Sequence, residues 1–183
     1  MKGIVFTEFL QLVEDKFGLE MVDRIIEESN LPSNGIYTSI GTYEFSEMLS
    51  LITNLSKNTD IKTDDLLLTY AEHFFSVLAS NYPQLIERYE NPLDMLESIE
   101  NHIHVEVRKI YPSAELPTFQ VLERTPDTLS MIYKSSRAMY SFGLGLMNKT
   151  FEHFNKRAII SYEKLKDDGT EVKFMIQMKN GRN

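Results

Sequence analysis

The hydrophobic pattern of this chain changes its period once, near Pro112, and no other feature limits the fold as much. Before that point apolar residues recur three and four apart. Phe6, Phe9, Leu10, Val13 and Phe17 form one helical stripe that ends at Gly18. "GLEMVDRIIEESNLP" repeats the pattern and stops at Asn30 and Pro32, and "LPSNGIYTSIGTY" reads as loop. A third helix is expected through Leu55 with Thr42 or Ser46 as its cap, and a fourth from Asp64 to Asn81 behind Thr63. "NPLDMLESIENHIHVEVRKIYP" predicts one more helix, with a proline in its first turn and another just past its end.

After Pro112 the texture is that of strands. "PTFQVLERT" and "TLSMIYKSS" are short extended runs around "PD", which predicts a hairpin. "RAMYSFGLGLMNKTFEHF" returns to helix. "AIISYEKLKDDGTEVKFMIQMK" then sets two runs about "DDG", a second hairpin. Helices first and an antiparallel sheet later, with one helix inserted between hairpins, is an α+β order.

A chain of 183 residues is expected to fold as a single domain, 1–183. With 42% apolar and 25% charged residues it can close a core. The formal net charge of −8 disfavours a general nucleic-acid binder. No apolar run is long enough to cross a bilayer. "MKGIVFTEFLQLVEDKFG" carries acids within its apolar pattern and no cleavage site, so a secretory signal is not expected and the cytoplasm is. The lack of cysteine rules out disulfides, a thiolate nucleophile, iron–sulfur clusters and cysteine-based zinc sites. No nucleophile–base pair, phosphate-cradling glycine loop or paired-carboxylate signature stands out, so an enzyme is not expected.

Two constellations remain. On a helix, His102 and His104 point about 200° apart, so they do not chelate one ion together. The stripe through Leu96, Ile99, Ile103, Val107 and Ile110 leaves them on opposite flanks, and periodicity does not choose between them. His73 and His153 lie on helices among acids and aromatics, where surface or packed roles are expected. The second constellation is Tyr133, Ser135 and Arg137, at alternate positions before an apolar, glycine-containing run. In an extended segment such a row shares one face. A phenol, a hydroxyl and a forked guanidinium in line suit neighbouring carboxylates, since Arg binds carboxylate bidentately where Lys does not.

Taken in order, "MKGIVFTEFLQLVEDKFG", "HVEVRKIYP", "ELPTF" and "YKSSRAMYSFGLGL" resemble the H-NOX domains, and the likeness covers essentially the whole chain. These are haem-based nitric oxide and oxygen sensors related to the haem domain of soluble guanylate cyclase. The resemblance implies a non-covalent haem b, with His104 as the iron ligand and Tyr133, Ser135 and Arg137 on its two propionates. It implies a proline, Pro117, pressing on the porphyrin. It also implies a helical distal subdomain over 1–63 and a haem-anchoring subdomain over 64–183. Between them the expected order is a long signalling helix, then the sheet of hairpins enclosing haem.

Oxygen-binding members of that family carry a distal tyrosine in the helix after the propionate motif, and that position here is Phe142. The other pocket-wall positions implied are Val5, Phe9, Phe74, Phe75, Leu78 and Leu144, none of which donates a hydrogen bond. Tyr140 is nearby, but two residues along a helix it points roughly the other way. The resemblance therefore implies a nitric oxide sensor with poor oxygen affinity, carbon monoxide being a further ligand. Loss of the iron–His104 bond would move the helix that carries it. With no output domain in these 183 residues, the expected partner is a separate protein such as a histidine kinase or a cyclic-di-GMP enzyme. Two other readings stay open: an oxygen-binding haem sensor with Tyr140 or another polar group as donor, and a haem-free interaction module in which Arg137 binds a partner's carboxylate.

Overall fold

The computed structural model describes residues 1–179, so the last four residues of the expected 64–183 subdomain lie outside the described residues. The expected α+β order is present: helices precede a four-stranded antiparallel sheet, and one helix lies between its two hairpins.

Helix α1 (Gly3–Phe17) ends at Gly18 and leads directly into α2 (Leu19–Glu27). The start of α1 is fastened by the loop before α3. The Gly3 and Ile4 amides donate to the Gly41 and Ser39 carbonyls, each at 2.9 Å. A β-carbon at Gly3 would stand 1.8 Å from the Thr38 carbonyl oxygen, so only glycine permits that approach.

Helix α3 (Phe45–Thr59) starts one residue before the cap expected at Ser46, and Glu44 precedes it without a side-chain cap. Thr42 instead accepts from Lys2 Nζ at 2.9 Å. Helix α4 (Thr63–Asn81) includes Thr63 as its first residue rather than using it as a cap. Asp64 and Asp65 in its first turn face the positive end of the helix dipole. Ile4, Phe6, Phe9, Val13, Met48 and Leu51, with Tyr70 and Phe74 of α4, belong to the core these four helices share.

The segment expected to be one long helix is three pieces. Helix α5 (Pro92–Glu97) is capped by Asn91, whose side chain accepts from the Leu93 amide. A π-helical turn follows at Ile99–Ile103, and α6 (His104–Ile110) begins with the histidine. The apolar stripe runs through all three pieces, so periodicity does not report the inserted turn.

Strands β1 (Thr118–Arg124) and β2 (Thr128–Lys134) form the first hairpin, and β3 (Arg157–Lys164) and β4 (Glu171–Lys179) the second. The sheet order is β1-β2-β4-β3, so the hairpins join through β2 and β4, with Met131 opposite Phe174 and Tyr133 opposite Val172. Helix α7 (Tyr140–His153) covers one face, and its Met147 and Phe151 share a second core with Leu129, Met131, Phe174 and Ile176. Gly145 lets α7 approach α4. A β-carbon there would lie 2.6 Å from Ala71 Cβ and 2.7 Å from the Leu68 carbonyl oxygen.

Candidate functional site

A cavity of about 270 Å³ opens where the start of α1, the second half of α4, α6 and α7 meet the beginning of β1. His104 lines it and His102 does not. His104 is buried, and its Nδ1 lies 3.0 Å from Glu100 Oε1. An ionised carboxylate only accepts, so this contact requires hydrogen on Nδ1 and leaves Nε2 as the nitrogen available to a ligand. Burial holds the His104 imidazolium below its usual range, and the nearby Glu100 carboxylate opposes that shift without cancelling it. His102 is engaged elsewhere, its Nδ1 lying 2.7 Å from the Tyr89 hydroxyl.

Tyr133, Ser135 and Arg137 all border the cavity, although not as the extended row expected; Tyr133 is buried, and Arg137 stands at the mouth beside the exposed Glu115. Strand β2 ends at Lys134, and the chain then turns, with the Arg137 amide donating to Ser135 Oγ at 3.2 Å. Ala138, at φ 51°, is in the left-handed region as the chain enters α7. The three side chains converge because of that turn and not because of strand alternation. Burial pushes the Tyr133 phenol up, so it stays protonated as a donor. Arg137 already holds a carboxylate. Its Nη2 donates to Glu115 Oε2 at 2.5 Å and its Nη1 to the Glu115 carbonyl at 2.9 Å. The Glu115 side chain is 83% exposed, so the pair is open to exchange with another carboxylate.

Pro117 borders the cavity beside the start of β1, as do Val5, Phe74, Phe75, Leu78 and Phe142. The Phe74 and Phe142 rings are 5.8 Å apart, which joins α4 to α7 on the cavity wall. Two expected wall residues do not border it. Phe9 is packed in the helical core with its ring 5.3 Å from Tyr70. Leu144 packs against the sheet-side core, because two residues on from Phe142 a helix has turned to the other side. Leu146, four residues on from Phe142, takes that place, and i, i+4 spacing was the signal for it.

Neither Tyr140 nor Tyr70 offers a donor to this wall. Tyr140 donates to Asp64 Oδ2 at 3.2 Å, and Tyr70 donates to the Val5 carbonyl at 2.5 Å. The lining also includes residues that sequence reasoning passed over. Tyr82 and Tyr111, each the residue before a proline at a helix end, have hydroxyls 2.9 Å apart. Glu100 was also passed over, although a carboxylate four residues before a helical histidine is a readable spacing. His73 pairs with Glu8 at 3.2 Å and His153 packs on Phe75, both apart from His104.

The family model described as Haem-NO-binding matches residues 2–162. The chain belongs to the H-NOX family. Among solved structures, the Fe(II) unliganded H-NOX protein from K. algicida is 71% identical, with a TM-score of 0.97, covering 99% of this chain and 98% of that one. The IWP-051-bound H-NOX from Shewanella woodyi, in the Fe(II)CO state, is 35% identical with a TM-score of 0.82, covering 97% and 94%. The S. oneidensis H-NOX protein in the Fe(II)NO state shares the fold at 23% identity, with a TM-score of 0.90 over 98% and 100%. Among curated proteins none matches the chain. H-NOX domains are haem-binding gas-sensor domains, so the resemblance drawn from the sequence holds at that level. Among the described residues of this H-NOX chain no helix is long and apolar enough to cross a membrane.

The cavity fits haem by its own chemistry. It offers one imidazole with Nε2 available, walls that are mostly apolar, and a guanidinium at the mouth that already grips a carboxylate.

Proposed function

We propose that this H-NOX chain senses nitric oxide at a ferrous haem b and signals to a separate protein when His104 leaves the iron. The observation that supports this best is the cavity itself: one imidazole, an apolar wall of Val5, Phe74, Phe75, Leu78 and Phe142 that has no side-chain donor, and a carboxylate-binding Arg137. Haem held there would supply an iron atom with an open coordination position, which binds nitric oxide strongly without a hydrogen-bond donor.

The chain's residues divide the work. His104 Nε2 would be the ligand to iron, and burial favours the neutral ring that ligation requires. Tyr133, Ser135 and Arg137 bind the propionates, with Arg137 exchanging Glu115 for a propionate, one carboxylate for another. Pro117 would lie against the macrocycle. Val5, Phe74, Phe75, Leu78, Leu146 and Phe142 exclude water and give bound oxygen, which is partly anionic, nothing to accept from. Residues 1–63 act as the distal subdomain and 64–183 as the haem-anchoring one.

Release of His104 would leave α6 free to shift against β1, a two-state element biased by the ligand. The partner is a separate cytoplasmic signalling protein of the histidine kinase or cyclic-di-GMP enzyme type. Carbon monoxide is a second ligand, as the Fe(II)CO state of the S. woodyi relative suggests.

The test is gas discrimination. Ferrous protein should change its spectrum with nitric oxide and form no stable complex in air, while Phe142→Tyr should retain oxygen longer. A stable oxygen complex in the unaltered protein overturns the gas assignment. Arg137→Ala should leave the iron ligand unchanged but speed haem loss by about 10–100-fold, the equivalent of one or two hydrogen bonds to a charged group. Transfer of haem to an excess of apomyoglobin measures that rate.

A further inference from the structure

Glu100 has two partners that belong to different elements. Its Oε1 lies 3.0 Å from His104 Nδ1 and also accepts from the Phe119 amide of β1 at 2.8 Å. It sits in the π-helical turn Ile99–Ile103, directly before the residue proposed to hold iron. Such turns carry an inserted residue and recur at functional sites. Here the turn places one carboxylate oxygen against both the histidine and the first residues of β1, next to Pro117.

We infer that Glu100 is a positioning residue that sets the strength of the His104–iron bond and ties the motion of His104 to strand β1. The inference rests on the haem reading above and concerns the regulation of that same site. A histidine that donates its second N–H to a carboxylate is a more basic ligand with a fixed tautomer and ring orientation. The bond is charge-assisted and so stronger than one to a neutral oxygen. Glu100 thereby opposes release of His104 and raises the signal needed to switch the protein. Because the same oxygen holds the Phe119 amide, His104 cannot swing away without loading the end of β1, and Phe119 is also near the imidazole, with ring centroids 6.1 Å apart.

A purely structural Glu100 would serve only as an acceptor for the Phe119 amide, and the two roles separate experimentally. Glu100→Gln keeps the volume and an acceptor oxygen but removes the negative charge. Glu100→Ala removes both. In the haem-loaded ferrous protein the iron–histidine stretching band, read by resonance Raman, should fall in frequency in Glu100→Gln and further in Glu100→Ala. On addition of nitric oxide, the equilibrium between His104-bound and His104-free iron should move toward the free form by roughly tenfold. A stretching band unmoved in both variants overturns the inference and leaves the haem reading standing. An unaltered protein that takes up no haem overturns both.

Discussion

His104→Gly should remove the proposed iron ligand, and free imidazole should then restore a histidine-like spectrum. His104 is the one histidine bordering the cavity among the described residues. Its ring is buried, with Nδ1 fixed by Glu100, so no other side chain on α6 can substitute for it. Loss of an outer-shell partner typically costs about 10–100-fold in metal affinity, and loss of the ligand itself should cost more. His102→Gly should leave the ferrous spectrum unchanged, since His102 contacts Tyr89 outside the cavity. The comparison is made by absorption spectroscopy on both reconstituted variants, with and without imidazole. Loss of ligation in His102→Gly, with His104→Gly unaffected, would reverse the assignment.

Gly145→Val should be strongly damaging although Gly145 does not border the cavity. Ala71 Cβ and the Leu68 carbonyl oxygen already stand 2.6 and 2.7 Å from where a β-carbon would be built. Leu68 meets it with backbone, so neither contact clears by rotating a side chain, and α4 and α7 must separate. Overpacking of this kind costs about 1–3 kcal/mol, or roughly 2–12 °C in Tm for a domain of this size. Phe142 and Leu146 flank Gly145 on α7 and Phe74 faces them from α4, so the cavity wall should loosen as well. Gly143→Ala is the contrast. The nearest atom to an added β-carbon is Phe119 Cζ at 3.9 Å, so the haem-free protein should gain about 0.5–1 kcal/mol from the helix interior. Thermal melts of the haem-free variants decide both.

Sequence reading succeeded where one physical signal dominated. Helices α1, α2 and α4 each bury one stripe, and the two hairpins alternate around short polar turns, so period alone locates them. It failed where the backbone departs from a regular repeat without changing the apolar pattern. Ile99, Ile103 and Val107 continue the stripe straight through the π-helical turn, which hides the break before His104. The turn between β2 and α7 went unread because nothing in "YKSSRAM" marks Ala138 as left-handed. The pairing of β2 with β4 is set by burial beneath α7, a contact distant in sequence. The wall residue at Leu146 was legible from spacing and misplaced at Leu144, while Phe9 was drawn into the helical core by Tyr70. The resemblance to a family, rather than spacing, singled out His104 over His102, and in the structure His104 borders the cavity while His102 does not.

The most direct measurement is an anaerobic titration of ferrous haem into the haem-free protein, followed by absorbance. One haem per chain should bind saturably and give the Soret band of histidine-ligated ferrous iron, and nitric oxide should then shift that band. Haem uptake that never saturates, or no Soret band at all, would contradict the proposed site and leave His104 a structural residue tied to Glu100.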